Sequence, residues 1–278
     1  MSTVATHLAP AVSRPGWHGS PVGARTGVLA TLAVAGAALS DMSFLDHLEE
    51  LRDRLLKSVV AIAVGMAACL TYVTSLILFL NGPAEAAAVR LVPIDATEIF
   101  SIYFRVGLTG GLCLAAPVVL WQAWRFIEPG LHRHEKWYAG PFLLSTTVCF
   151  AAGAGFGYQV VLPWFLKLQA AMATAVHYDN TMSALSYFGL LTTMIVTMGL
   201  IFEMPPVVFI LSRIGLVNAR FLLRNFKYAI LAFAVAAAVL TPSTTDIAPM
   251  MAFMAVMIAV YLVSVVVAAI FGRSRRID

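Results

Sequence analysis

The sequence predicts an all-α integral membrane protein with six transmembrane helices and both termini on the cytoplasmic side. Three observations predict it. The 278 residues are 60% hydrophobic and only 12% charged, against about 25% charged in an ordinary soluble domain. Mean hydropathy is +0.87, and the apolar residues fall in long unbroken runs that a soluble core does not need. Basic residues alternate in density from one inter-run loop to the next. The loops assigned to the inside hold Arg14, Arg25, Arg52, Arg54, Lys57, Arg125, Arg133, Lys136, Arg213, Arg220, Arg224, Lys227, Arg273, Arg275 and Arg276, while the opposite side holds only Arg90 and Lys167, with Arg105 inside a run. This excess follows the positive-inside rule through all six spans, and one span more or fewer would scramble it. The same distribution argues against a nucleic-acid partner, because the basic residues flank spans instead of forming one patch.

In chain order, residues 1–41 have no acid before Asp41 and are punctuated by Pro, Gly and Ser. They read as a disordered extension, or as sequence upstream of a start at Met42. The membrane domain is expected over 42–271 and a short basic cytoplasmic tail over 272–278. Ser43-Phe-Leu-Asp46 has the spacing of a capping box. Phe44, Leu48, Leu51 and Leu55 then recur at helical spacing, which predicts an amphipathic helix on the membrane surface ahead of the first span. The spans are expected near Lys57–Leu80, Glu98–Phe126, Trp137–Leu166, Ala184–Leu211, Phe226–Leu240 and Ile247–Phe271. The fifth, about 15 residues or roughly 23 Å, is short for a hydrocarbon core of roughly 30 Å. It must thin the bilayer or be shielded by neighbours. Two opposite-side loops, Asn81–Thr97 and Gln169–Ser183, are too apolar for plain solvated linkers and are expected to cap that face.

Glu203 stands out chemically. It lies in Leu200-Ile-Phe-Glu-Met-Pro-Pro206, inside span four, with no Lys or Arg between Lys167 and Arg213. A carboxylate within a span costs roughly 2.5–3.5 kcal/mol even on a lenient insertion scale, so it should face a cavity or a partner helix. It could also serve simply to hold two helices together. Pro205 and Pro206 should kink the helix and free carbonyls. Glu50 is four residues from Arg54 and could pair with it, and Glu135 could simply begin span three, where a carboxylate suits a helix N-terminus. His132 and His134, two apart with no further acids, do not make a metal site. Cys69, Cys113 and Cys149 sit in apolar runs without CxxC spacing and read as small buried hydrophobes. No phosphate loop, nucleophile elbow or HExxH is present, so neither an enzyme nor a cofactor is expected.

The segments His47-Leu-Glu-Glu-Leu-Arg-Asp-Arg-Leu55, Phe126-Ile-Glu-Pro-Gly-Leu-His-Arg-His-Glu135 and Phe202-Glu-Met-Pro205 resemble signatures of the TatC family, the receptor subunit of the twin-arginine protein translocase. Pro83, Ala116 to Trp124, Tyr158 to Pro163, and Thr241-Pro-Ser with Asp246 match as well, in the right order over about Met42 to Phe271. The resemblance implies a cupped six-helix fold with short fifth and sixth helices, in the bacterial inner membrane, and export of folded proteins drawing on the proton gradient. It implies that Glu50 and Glu135 receive the paired arginines of a signal peptide on the cytoplasmic face, with His47, Arg52, Arg54, Phe126, Pro129 and Leu131 shaping that site. Glu203 would meet a TatA-like or TatB-like single-span helix or the inserted signal hairpin, within a self-associating hetero-oligomer, and Pro83 and Asp246 would belong to the outer cap. Two positions depart from the pattern. Met250 stands where many members have glutamine, and the sixth span lacks their glutamate. The other reading the residues allow is an ion- or proton-coupled small-molecule transporter using Glu203 as its coupling carboxylate.

Overall fold

The computed structural model describes residues 48–127, 139–240 and 247–271. The chain divides into two units, Met1–Glu50 and Leu51–Asp278. Of the first, only residues 48–50 are described, as helix.

Helix α1 runs from Leu48 to Thr71. The separate surface helix expected ahead of span one is therefore not seen as a distinct element from Leu48 onward. No Gly or Pro lies between Leu48 and Lys57 to stop the helix, and Leu51, Leu55, Leu56, Val59, Val60 and Val64 are all exposed. The helix breaks at Tyr72, just after Thr71 turns its hydroxyl back onto the Ala68 carbonyl at 2.6 Å, a bond that competes with the helical ladder. A second segment, α2 (Val73–Leu80), completes the apolar run, followed by a single-turn helix α3 (Gly82–Ala86) with Pro83 in its first turn.

Helix α4 (Glu98–Ile127) is continuous through Pro117. Span three is compound: α5 (Ala139–Phe156), a π-helical turn over Gly157–Val161, and α6 (Leu162–Ala175). The wide turn accommodates Pro163, which has no N–H to give to the ladder, and the helix runs nine residues past the expected end at Leu166. Span four divides into α7 (Ala184–Ile201) and α8 (Met204–Arg213). A short α9 (Ala219–Arg224), capped by the Asn218 side chain on the Phe221 N–H at 2.7 Å, leads into α10 (Phe226–Leu240) and α11 (Ile247–Phe271). Five helices among the described residues are long and apolar enough to cross a membrane, and α10 is the shorter apolar one. The fifth helix is short, as expected. The sixth is not: α11 has 25 residues, because no charge and no internal proline beyond its first turn interrupts the run before Gly272.

Span four is the packing centre of the second unit. Over Ala184–Arg213 56% of the most apolar stretch is buried, against 11% for α1, so the first is a core helix and the second a peripheral one. Tyr187, Leu191, Met194 and Met198 have at most 1% exposure, with α4 and α5 packed on α7, and α11 on α8 and α10. Where α1 crosses α4, Gly65 and Gly111 lie backbone to backbone. A Cβ on Gly65 would come 2.6 Å from the Gly111 carbonyl oxygen.

Candidate functional site

Glu203 is the N-cap of α8, directly after Phe202, the C-cap of α7, and its side chain makes no capping bond. The break at Phe202–Glu203 follows from the two prolines. Lacking N–H groups, Pro205 and Pro206 cannot donate to the Ile201 and Phe202 carbonyls. The chain turns instead through Glu203 N–H to Leu200 carbonyl at 3.1 Å and resumes with Val207 N–H to Glu203 carbonyl at 3.1 Å. The carboxyl is 8% exposed, and its Oε1 is buried with no hydrogen-bond partner among the described residues. Leaving such an atom unsatisfied costs about 1–3 kcal/mol, more for a charged group. At 1.5 Å per residue Glu203 lies about 15 Å from Arg213 and about 28 Å from Ala184, deep in span four from either end.

Close packing of α5 fixes this break. Gly153 and Gly157, spaced as GxxxG, face α7. A Cβ on Gly153 would meet the Met198 carbonyl oxygen and stand 2.7 Å from the Phe202 Cβ, and one on Gly157 would stand 2.9 Å from the Met194 carbonyl oxygen. Small residues let helix backbones approach in lipid, where dispersion and not the hydrophobic effect drives association. The Phe202 ring rests on Phe156 with centroids 5.5 Å apart.

A second polar constellation joins the two loops expected to cap one face. Arg90–Val92 (β1) pairs in parallel with Thr181–Ser183 (β2), Arg90 opposite Thr181 and Val92 opposite Ser183. Each loop enters its strand near a left-handed residue, Ala88 (φ 52°) and His177 (φ 61°). Such backbone costs a non-glycine residue about 1 kcal/mol or more. The Asn180 amide offsets the first by donating to the Ala87 and Ala88 carbonyls at 3.3 and 3.0 Å. Glu98, 5% exposed at the head of α4, accepts from the Ser183 hydroxyl at 3.0 Å and the Ile94 N–H at 3.2 Å. The orphan carbonyls ending α2 are also met: Tyr187 donates to Leu80 at 2.6 Å and Tyr158 to Phe79 at 2.8 Å. Pro83 is buried at this end. Asp246 lies outside the described residues.

The opposite end of α4, about 42 Å away over 28 residues, carries Phe126. There Trp124 (1% exposed), Phe142 and Ile210 form a small cluster joining α4, α5 and α8, with the Trp124 and Phe142 rings 4.5 Å apart. The Trp124 indole Nε1 is buried without a hydrogen-bond partner among the described residues. Arg125 stacks over Trp121 at 5.5 Å, and Arg213 lies over Phe209 and Phe271 at 5.5 and 5.7 Å. Phe126 is half-buried. Arg52 is exposed and Arg54 half-buried on α1, both in the second unit, while Glu50, half-buried, falls in the first. His47, Pro129, Leu131 and Glu135 lie outside the described residues. Of the residues the sequence singles out, Pro83 and Phe126 are thus kept at opposite ends, with Glu203 between them. No group of three His, Cys, Asp or Glu among the described residues could hold a metal ion. The three cysteines are free and half-buried.

Sequence reasoning missed Glu98, the two tyrosines, Asn180 and the paired glycines. The GxxxG spacing and an acid at the very start of a span were the available signals. Nothing in the sequence marks Tyr158 or Tyr187 as donors to α2, since those contacts bridge 79 and 107 residues.

Fold and site together define a multi-spanning helical membrane protein with a carboxyl buried at a break in its central span and a tied pair of loops at one end. Residues 46–256 match the sequence model of the family described as Sec-independent protein translocase protein (TatC). Relatives so named include one from Koribacter versatilis, 40% identical over 238 residues (83% of this chain and 86% of that protein). Another, from Deinococcus radiodurans, is 35% identical over 248 residues (86% and 90%). A crystal structure of the twin arginine translocase receptor TatC superposes with a TM-score of 0.73 at 31% identity, covering 80% of this chain and 97% of that one. The chain belongs to the TatC family. That family is a translocase component and not a family of enzymes, and these relatives lend no support to a small-molecule transporter.

Proposed function

We infer that this chain is the receptor subunit of a twin-arginine translocase, binding signal peptides of folded cargo at the cytoplasmic face of a bacterial inner membrane. The observation that carries this reading is its agreement over 97% of a solved translocase receptor's length, with the quoted motifs intact in sequence. Glu50 and Glu135 accept the two signal guanidinium groups. Arg–carboxylate pairing can be bidentate, which selects arginine geometrically over lysine. His47, Arg52, Arg54, Phe126, Pro129 and Leu131 shape the same surface. The buried aromatic cluster around Trp124 supports a firm base for the segment 128–138, which carries three of these residues, Pro129, Leu131 and Glu135.

The chain crosses the membrane six times with both termini inside. Helix α10 is the fifth span, shielded on one side by α11, which compensates for its length of 15 residues, about 23 Å. This orientation puts the tied loops, with Pro83 and Asp246, on the outer face. Glu203 then lies at mid-membrane, where its unsatisfied Oε1 suits a polar group of a TatA-like or TatB-like helix, or of the signal hairpin. Receptor units self-associate with those partners.

The test is photocrosslinking of a twin-arginine signal peptide to membranes carrying the chain. Glu50→Ala with Glu135→Ala is expected to abolish the crosslink while the protein still inserts at wild-type level. Undiminished crosslinking, or accessibility mapping that puts Glu50 and Glu135 on opposite faces, would overturn the receptor site.

A further inference from the structure

One charge inside a span has no place in the receptor reading. Arg105 lies in α4 seven residues beyond Glu98, about 10 Å along the helix, within the apolar stretch Glu98–Phe126. A charge placed in hydrocarbon is costly and normally faces a partner or reaches for the interface. Among the described residues no carboxylate pairs with Arg105. Glu98, at the head of the same helix, is taken up by Ser183 and Ile94. The guanidinium does not simply extend away from the protein: its Nη1 lies over Gly189 of α7, where a Cβ would collide with it. Arg105 also lines a shallow, open groove of about 650 Å³ with Phe100, Ser101, Phe104 and Leu108. Phe100, Phe104 and Leu108 are 79%, 60% and 42% exposed. Spaced four apart, they form one apolar stripe about 12 Å long beside the cation. The Ser101 hydroxyl donates to the Thr97 carbonyl at 3.2 Å, so it forms part of the rim and leaves Arg105 as the charged donor.

From this we propose that α4 and α7 form a binding site for an anionic phospholipid, its phosphate on Arg105 and an acyl chain along Phe100, Phe104 and Leu108. The chemistry fits both halves of such a molecule. A guanidinium offers two parallel N–H donors to phosphate oxygens, at a depth from which an arginine side chain reaches the headgroup level. Tyr103, 37% exposed on the same stretch of α4, is the amphipathic kind of ring that marks that level. Gly189 supplies the room that lets the guanidinium lie against the protein instead of being fully hydrated. A carboxylate on a neighbouring protein helix would need its own burial in lipid, whereas a phospholipid brings its phosphate to this depth without that cost. The proposal requires only that α4 spans a bilayer and is independent of the receptor reading.

The test uses the purified full chain in mild detergent, with native mass spectrometry reading retained lipid. Probes are phosphatidylglycerol, a diacylglycerol of the same chains, and inorganic phosphate. Wild type is expected to retain phosphatidylglycerol well above diacylglycerol, and Arg105→Gln to lower that retention by about tenfold, the scale of one charge-assisted hydrogen-bonded contact. Arg105→Lys should keep part of it. Gly189→Ala, a favourable change for a helix, should also lower retention, since its Cβ displaces the guanidinium. A photoreactive residue at Phe104 in the otherwise wild-type chain, in vesicles, should label lipid. Equal retention by wild type and Arg105→Gln, equal retention of diacylglycerol, competition by inorganic phosphate, or labelling of a protein helix from position 104 would each overturn it.

Discussion

Gly153→Ala tests how the Glu203 break is held. An ordinary carbon contact begins near 3.4 Å, yet the new methyl would stand 2.7 Å from the Phe202 Cβ and closer still to the Met198 carbonyl oxygen. Both obstacles are backbone or next to it, so no flexible side-chain end can swing away. Relief needs α5 and α7 to separate by most of an ångström. Overpacking of this kind costs about 1–3 kcal/mol, against at most about 1 kcal/mol gained from exchanging glycine for alanine in a helix. A net loss of about 1–2 kcal/mol is expected. Gly155 is the internal control: it lies two residues along the same helix, and a Cβ there would meet nothing within 4 Å. Gly155→Ala should be neutral or slightly stabilising. The assay is thermal unfolding of both variants in detergent, followed by size-exclusion fluorescence. Gly153→Ala should lose several degrees, and because the strain falls on Phe202 it should also weaken whatever assembly Glu203 supports. A Gly153→Ala protein as stable as wild type, or a Gly155→Ala protein equally weakened, would refute the close α5–α7 contact.

Glu203→Ala should reduce co-purification of a single-span partner more than it reduces signal-peptide crosslinking, and equal losses in both assays would remove that division of labour. Glu98→Ala deletes the acceptor for Ser183 and Ile94 and should cost about 1–3 kcal/mol, seen as faster hydrogen exchange at the β1 and β2 amides and faster proteolysis of the connection 176–180 between α6 and β2. Tyr187→Phe leaves the Leu80 carbonyl buried without its 2.6 Å donor and should lower thermal stability by about 1–3 kcal/mol. Tyr158→Phe, whose bond to Phe79 is exposed, should cost less.

Hydrophobic run length made most of the helices legible. Phe226–Leu240 and Ile247–Phe271 were expected with the bounds the structure has, since a charged or polar turn ends each run. The misjudged boundaries have local causes. The surface helix before span one was inferred from the amphipathic spacing of Leu48, Leu51 and Leu55, but spacing says only which side is apolar and not where a helix stops. With no breaker before Lys57, α1 continues. The span expected to end at Leu166 continues as α6 to Ala175, because Ala170, Ala171, Ala173 and Ala175 favour helix at little cost. Glu203 was visible as a rare acid in a span beside two prolines. Its supports were not, because the Gly153–Met198 approach is a tertiary contact that hydropathy does not encode.

The polar groups of the second unit divide into two kinds, and the division bears on where function resides. At the end that carries β1 and β2 most of the prominent side chains have named partners: Glu98 with Ser183 and Ile94, Asn180 with Ala87 and Ala88, Tyr187 with Leu80, Tyr158 with Phe79, though Asn81 Oδ1 and Gln169 Oε1 are buried there without a partner among the described residues. Hydrogen bonds that tie loops to helix ends in this way rigidify and specify one arrangement. At Glu203 and Trp124 the reverse holds, with a buried acceptor and a buried donor lacking partners among the described residues. A polar group of that kind lowers stability unless something outside the fold satisfies it. The tied β1–β2 end is therefore expected to act mainly as scaffold, with association to be sought first at the Glu203 break and at the Trp124 end of α4. Changes at Glu98 or Tyr187 should then lower the amount of folded protein and leave signal crosslinking per folded molecule unchanged, whereas Glu203→Ala should do the opposite for partner capture. A Glu98→Ala protein that folds to wild-type level yet loses signal crosslinking would contradict this division.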